Sequence, residues 1–296
     1  LNDNPDNEVR LTIADGFIMG FITEGNERFY IEPVRNHDKS AKSDQFVLYK
    51  SENVIPLKDA ICGVQDINQK AQQIDESFQK SASACLELDI ALAVDYEMYL
   101  KYDSDIATLN LYMDGILNAV VANYDNEFAE QIVLLISERF IVACPSCDPW
   151  TSSLDYSTIF PDLKSWADGP DGFIAPYDVV ALWTARDIND GVVGVVNDIA
   201  SLCEPLGNTI LEDFTPSFSP MVVMVTHEFG HLFGAFHNYE GFSACVGNSG
   251  RGSLFMDPFV SPATSWSNGS EPCTRTGGGS IGAINTHVTS RTCMTA

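Results

Sequence analysis

The sequence predicts an α/β protein: a small antiparallel β segment followed by a mostly parallel five-stranded sheet with a long buried helix beneath it. Three observations carry that expectation. Residues 1–50 hold four short apolar runs, the first three separated by Asp-Gly and Gly-Asn pairs, which is hairpin punctuation. From Cys85 onward, apolar strand-like runs alternate with helix-period segments, the pattern of parallel strands joined by crossover helices. Late in the chain, residues 221–225 (Met-Val-Val-Met-Val) are apolar on every side, as in a helix covered all round.

The elements follow in order. The N-terminal runs are residues 9–13, 16–22, 28–34 and 45–50, read as a small antiparallel sheet. Residues 65–84 are polar and helix-prone, and divide the chain as a linker. Residues 86–94 read as a strand. Residues 103–128 read as one long amphipathic helix, with Ile106, Leu109, Met113, Ile116, Leu117, Val120 and Val121 at helical spacing. Residues 131–143 read as a buried strand. Residues 157–167 read as a short helix that Pro161 confines or kinks. Three further strands are expected at 178–183, 191–197 and 209–214. Ser219-Pro220 then suits a helix start, serine as cap and proline in the first turn. Beyond Asn238, Gly, Ser and Pro are frequent, and the C-terminal part is expected to be mostly irregular, with loops wide enough to shape a pocket.

Composition narrows the function classes. The 296 residues carry a formal net charge of −25 at pH 7, and 45% of them are hydrophobic, enough for a sizeable core. So acidic a surface argues against nucleic-acid or anionic-membrane partners, which need basic patches. No apolar run reaches the length of a membrane span, and the N-terminus lacks the basic and apolar regions of a leader. The eight cysteines are Cys62, Cys85, Cys144, Cys147, Cys203, Cys245, Cys273 and Cys293. That number points to disulfides and an oxidising, extracellular compartment. Cys144-Pro145-Ser146-Cys147 reads as structural, with local pairing one option among several; without a thioredoxin-like setting or a second cysteine pair, a redox or metal role is the weaker reading. Asn268-Gly269-Ser270 is a glycosylation sequon that carries little weight alone.

The chemistry sits in His227-Glu228-Phe229-Gly230-His231-Leu232-Phe233-Gly234-Ala235-Phe236-His237. Positions i and i+4 share a helix face, so His227 and His231 can present two imidazoles to one metal with Glu228 beside them. Gly234 can adopt the left-handed conformation that ends a helix, bringing His237 back as a third ligand. Three histidines and an open fourth position describe a catalytic zinc site. Glu228 is then the candidate general base for the water there. Only five histidines occur in the chain, so three of them at ligand spacing are hard to read as ordinary helix and turn residues.

The long histidine motif resembles that of the metzincin metallopeptidases, with Met256 in Ser253-Leu254-Phe255-Met256-Asp257-Pro258 as the matching methionine turn. More narrowly, the chain resembles the adamalysin (reprolysin) family, which includes snake-venom metalloproteinases and ADAM sheddases. Residues 100–105 resemble the end of that family's first strand and start of its first helix. Residues 210–216 resemble the segment leading into its zinc helix.

The resemblance implies a zinc endopeptidase acting on protein or peptide substrates. It implies a metzincin catalytic domain over residues 85–296, with an antiparallel edge strand at residues 191–197. Gly191, Val192, Val193 and Gly194 of that strand would pair with an extended substrate. The pocket for the side chain after the scissile bond would lie between the zinc helix and residues 258–266. Tyr30-Ile31-Glu32-Pro33 and Val47-Leu48-Tyr49-Lys50 resemble the end of the family propeptide. Residues 1–64 are therefore expected to be the C-terminal part of a β-rich inhibitory propeptide whose Cys62, in Cys62-Gly63-Val64, occupies the fourth zinc position. A structural disulfide of Cys62, for example with Cys85, is the competing reading.

Family pairing suggests Cys203 with Cys293 and Cys245 with Cys273. Asp89 and Asp178 resemble acidic calcium ligands of the family, against the plainer view that they are two surface acids among many. Three departures from the family pattern stand out. The proline and lysine usually paired just before the switch cysteine are Pro56 and Lys58 here, set further back. No basic processing site lies between Val64 and Cys85. The aspartate usual after the third histidine is Asn238. The resulting expectation is a secreted, monomeric enzyme in latent form; the alternative is a catalytically silent zinc-binding module.

Overall fold

The structure is a computed structural model, and it describes residues 7–25, 27–55, 57, 59–64, 85–125, 127–128, 131–203, 207–238, 254–260, 262–270, 279–289 and 294. Two sheets and five α-helices are present among them.

The first sheet is antiparallel, with strands β1 (Glu8–Ala14), β2 (Phe17–Glu24), β3 (Glu27–Pro33) and β4 (Phe46–Lys50) in sequence order. Its inner face carries Met19, Phe21 and Tyr30, all buried. Met19 packs so closely on helix α2 (Ile106–Tyr124) that a Cβ at Gly115 would stand 2.2 Å from its Cε. The two layers therefore share one core.

The second sheet has six strands, one more than the sequence suggests. They are β5 (Ile61–Cys62), β6 (Cys85–Val94), β7 (Gln131–Ile141), β8 (Val179–Thr184), β9 (Val192–Val196) and β10 (Asn208–Glu212). The spatial order is β5-β9-β10-β8-β6-β7, parallel throughout except for the antiparallel pair β9 and β10. The unexpected strand is the Cys62 segment, which has paired with β9 and ended its role as an edge. Central β8 (Val-Val-Ala-Leu-Trp-Thr) is buried at every position, as a parallel strand covered on both faces must be. By contrast β7, expected to be buried, is the outer strand, and much of it is partly exposed.

The expected helix over residues 103–128 is the shorter α2, and a further helix that the sequence did not suggest, α1 (Tyr96–Lys101), precedes it. Asp103 and Ser104 separate the two, with φ of 57° and 58°, a left-handed conformation that no helix can carry through, so α2 starts later than expected. Asp95 caps α1 through the Met98 N–H at 2.8 Å, and Asp105 caps α2 through the Ala107 N–H at 2.9 Å. Helix α3 (Tyr156–Ala167) begins at Asp155 and tolerates Pro161 within it.

Helix α4 (Phe218–Leu232) carries the histidine motif and is buried along its whole length. It begins two residues earlier than Ser219-Pro220 suggests, with Ser217 at the cap position but no side-chain capping bond. The region beyond Asn238 is not wholly irregular, since α5 (Gly279–Thr289) closes behind Gly234. The linker reading of residues 65–84 lies outside the described residues.

Candidate metal centre

Helix α4 places His227 and His231 one turn apart, and the chain turns back at Gly234, whose φ is 95°. A side chain at 234 would also meet the His287 Cβ at 3.0 Å. The turn returns His237 to the same point. His237 Nε2 lies 3.1 Å from His227 Nε2 and 3.0 Å from His231 Nε2. Cys62 Sγ completes the group, 3.5 Å from His231 Nε2, and all four ligand atoms lie within 4.8 Å of one another.

Backbone carbonyls orient two of the rings. His227 Nδ1 donates to the Phe255 carbonyl at 2.6 Å, and His231 Nδ1 donates to the Ala235 carbonyl at 2.7 Å. With Nδ1 holding the proton, each Nε2 turns its lone pair toward the shared centre. Lone pairs at such distances repel unless a cation sits between them. Zinc bonded to nitrogen at roughly 2.0–2.1 Å in tetrahedral array would set the nitrogens about 3.3 Å apart, close to the spacing found. The donor set thus fits zinc. Burial also lowers the basicity of both rings: His227 falls to about 3, with His237 adding to the effect, and His231 falls well below the usual imidazole value for the same reasons. Neutral imidazole is the form that binds metal.

Glu228 is buried beside this centre. Burial pushes its carboxyl up to about 8, while a hydrogen bond with Cys62 pulls the other way. Gly194 of β9 faces it: a Cβ there would stand 2.5 Å from Glu228 Oε1. Met256 is fully buried beneath Gly230 of α4, where an added Cβ would be 2.6 Å from its sulfur.

Residues 60–63 lie between two backbones. On one side Ile61 and Cys62 pair in parallel with β9, and the Gly63 N–H donates to the Gly194 carbonyl at 2.8 Å. On the other, the Val260 N–H donates to the Ala60 carbonyl at 3.0 Å, with Ile61 bridging antiparallel to Phe259. Gly63 must be glycine for this fit, because a Cβ would meet Val192 and Val195 at 2.9–3.1 Å. Cys62 is a thiol, so it is not bridged to Cys85. Val193, Val223, Met224, Phe259 and Val260 form an apolar wall around the centre.

The sequence model for Metallo-peptidase family M12B Reprolysin-like matches residues 111–277 of this chain, more than half of it. The chain belongs to that family. Membership in M12B implies a zinc-dependent peptidase, which acts on peptide bonds of proteins.

Several expected positions differ from the M12B resemblance. Val192, Val193 and Gly194 lie on β9, whereas Gly191 ends a short 3-10 turn (Asn189–Gly191) with φ of 73°. Asn238 replaces the usual aspartate, and its amide donates to Asp257 Oδ1 at 3.2 Å while its own N–H bonds the Met256 carbonyl at 2.7 Å. An amide suits that place because its partner is a carboxylate. The Asp89 backbone N–H donates to Asp178 Oδ2 at 2.9 Å, so the Asp178 carboxylate serves a backbone donor, and neither acid belongs to a group of three or more metal-binding side chains among the described residues. Cys144 and Cys147 form a disulfide. Cys203 is also disulfide-bonded; the suggested pairings with Cys293, and of Cys245 with Cys273, fall on positions outside the described residues. Among the described residues, no helix is long and apolar enough to cross a membrane.

Sequence reasoning missed the orienting carbonyls of Phe255 and Ala235, and Gly194 as the neighbour of Glu228. It also missed Asn123, whose Nδ2 donates to Thr226 Oγ1 at 3.0 Å and so steadies the turn before His227. None of these carries a spacing signal.

Proposed function

We propose that this chain is a secreted zinc endopeptidase held latent by its own residues 1–64, with Glu228 as the general base. The observation that carries the reading is the convergence of three histidine Nε2 atoms and the Cys62 sulfur on one point. His227, His231 and His237 would hold zinc, and Cys62 thiolate would fill the fourth position. When bound there, zinc supplies a Lewis acid that polarises the substrate carbonyl and lowers the pKa of a water molecule.

The chain's own residues do the rest. Glu228 takes the proton of the attacking water and passes it to the departing amine nitrogen. A substrate strand pairs with β9 through Gly194, the group that Gly63 now engages, so residues 61–63 compete directly with substrate. The apolar wall of Val193, Val223, Met224, Phe259 and Val260 receives the side chain after the scissile bond.

The Cys144–Cys147 bridge supports an oxidising, extracellular location. The chain acts as a monomer in this reading. Calcium at Asp89 and Asp178 is an ancillary part of it, resting on the family resemblance alone.

The test is activation by a thiol-reactive mercurial. The zinc-loaded chain should be silent toward a quenched fluorogenic peptide and become active on treatment, whereas Cys62→Ser should be active without it. Silence of the loaded Cys62→Ser chain on a broad peptide set would overturn the peptidase reading.

A further inference from the structure

The zinc helix has no cap of its own. Ser217 stands at the cap position and makes no side-chain capping bond, and an α-helix begins with backbone N–H groups that need acceptors. The acceptor comes from the four-stranded sheet. The Phe218 N–H points at the Glu32 carboxylate, 3.1 Å from Oε1 and 3.2 Å from Oε2.

Glu32 is fully buried at the end of β3, and its position is fixed by several donors. Tyr49 Oη donates to Oε1 at 2.7 Å, Asn36 Nδ2 donates to Oε2 at 3.0 Å, and His37 Nε2 lies 3.4 Å from Oε1. The Ser219 N–H in turn reaches the Tyr49 oxygen at 3.4 Å. Burial, then the Glu32 charge, raise the Tyr49 hydroxyl far above its ordinary pKa, so it stays a donor. The Tyr30 ring closes edge-on over Phe218, with ring centres 6.0 Å apart.

We infer that Glu32 is the N-cap of α4, the helix that carries His227, Glu228 and His231, and that the cap is supplied from a separate sheet. A buried carboxylate on a helix N-terminus satisfies the N–H and complements the helix dipole together. It acts roughly 14 Å along the helix from His227 and roughly 20 Å from His231. This role is independent of Cys62, which touches the other end of α4, and it lasts as long as residues 1–64 stay on the chain.

The experiment uses the full chain loaded with zinc and reads amide hydrogen exchange residue by residue. Glu32→Ala should speed exchange at Phe218 and Ser219 about tenfold relative to β8 and α3. The deciding variant is Ser217→Asp, which offers a carboxylate from the helix's own cap position. In the wild-type background it faces Glu32 and should lower Tm; in the Glu32→Ala background it should restore both protection and Tm. Unchanged exchange in the first turn of Glu32→Ala, or the same Ser217→Asp penalty in both backgrounds, would overturn the assignment. If Glu32→Ala alone gives no soluble protein, recovery of the double variant supports the cap, and failure of the double variant refutes it.

Discussion

Gly194 and Glu228 touch across the cleft: a Cβ at position 194 would stand 2.5 Å from Glu228 Oε1 and 2.8 Å from its Cγ. The strand that would pair with a substrate and the carboxylate that would move its proton are therefore set against each other by the lack of a side chain. Gly194→Ala is expected to displace Glu228 and cut kcat about tenfold or more while zinc content stays near that of the parent. Steady-state kinetics on the mercurial-activated chain, alongside metal analysis, checks this.

Glu228→Gln removes the proton acceptor and keeps the shape. It should lower kcat about 100- to 10,000-fold with zinc binding retained. An activated Glu228→Gln chain as fast as its parent would remove the general-base role.

Asn238 and Asp257 tie the third histidine to the methionine turn through the amide bond at 3.2 Å. Asn238→Asp would set two buried carboxylates together, and a loss of about 1–3 kcal/mol in denaturant unfolding is expected. Adding Asp257→Asn should return most of it. A double variant no better than the single would separate the two residues.

Glu212 gives a pH dependence away from the metal. It is buried on β10, accepts the Ile188 N–H at 2.8 Å, and its carboxyl is pushed up to about 7, by burial first and then by Asp187 and Asp213, against the pull of Lys101. Its folded pKa lies above the unfolded one, near 4.5. The folded state therefore holds the extra proton, and this group's contribution to stability falls as pH rises from about 4.5 to about 7. Glu212→Gln should flatten that part of the stability profile, by roughly 1–3 kcal/mol in all. Parallel wild-type and variant curves of unfolding free energy against pH would contradict it.

What the sequence made legible was local. The histidine spacing, the glycine bend and the methionine turn are each written within a few residues, and the sheet was readable from apolar runs such as β8 because both its faces are covered. The late start of α2 was not readable, since Asp103 and Ser104 are ordinary helix-surface residues until their φ angles are known. Nor was the sixth strand: Ile61–Cys62 has two residues and no period, and exists as a strand only because β9 lies beside it. Glu32 fell out of view for the same reason, since its partner at Phe218 lies 186 residues away. Long-range backbone pairings leave no mark on spacing.

The most direct test is zinc K-edge X-ray absorption on the intact chain loaded with one zinc. The account predicts three nitrogen neighbours and one sulfur, at about 2.0 Å and about 2.3 Å, with the sulfur lost in Cys62→Ser or after mercurial treatment. A loaded chain whose zinc is surrounded by fewer than three nitrogens, or by no sulfur before activation, would contradict it.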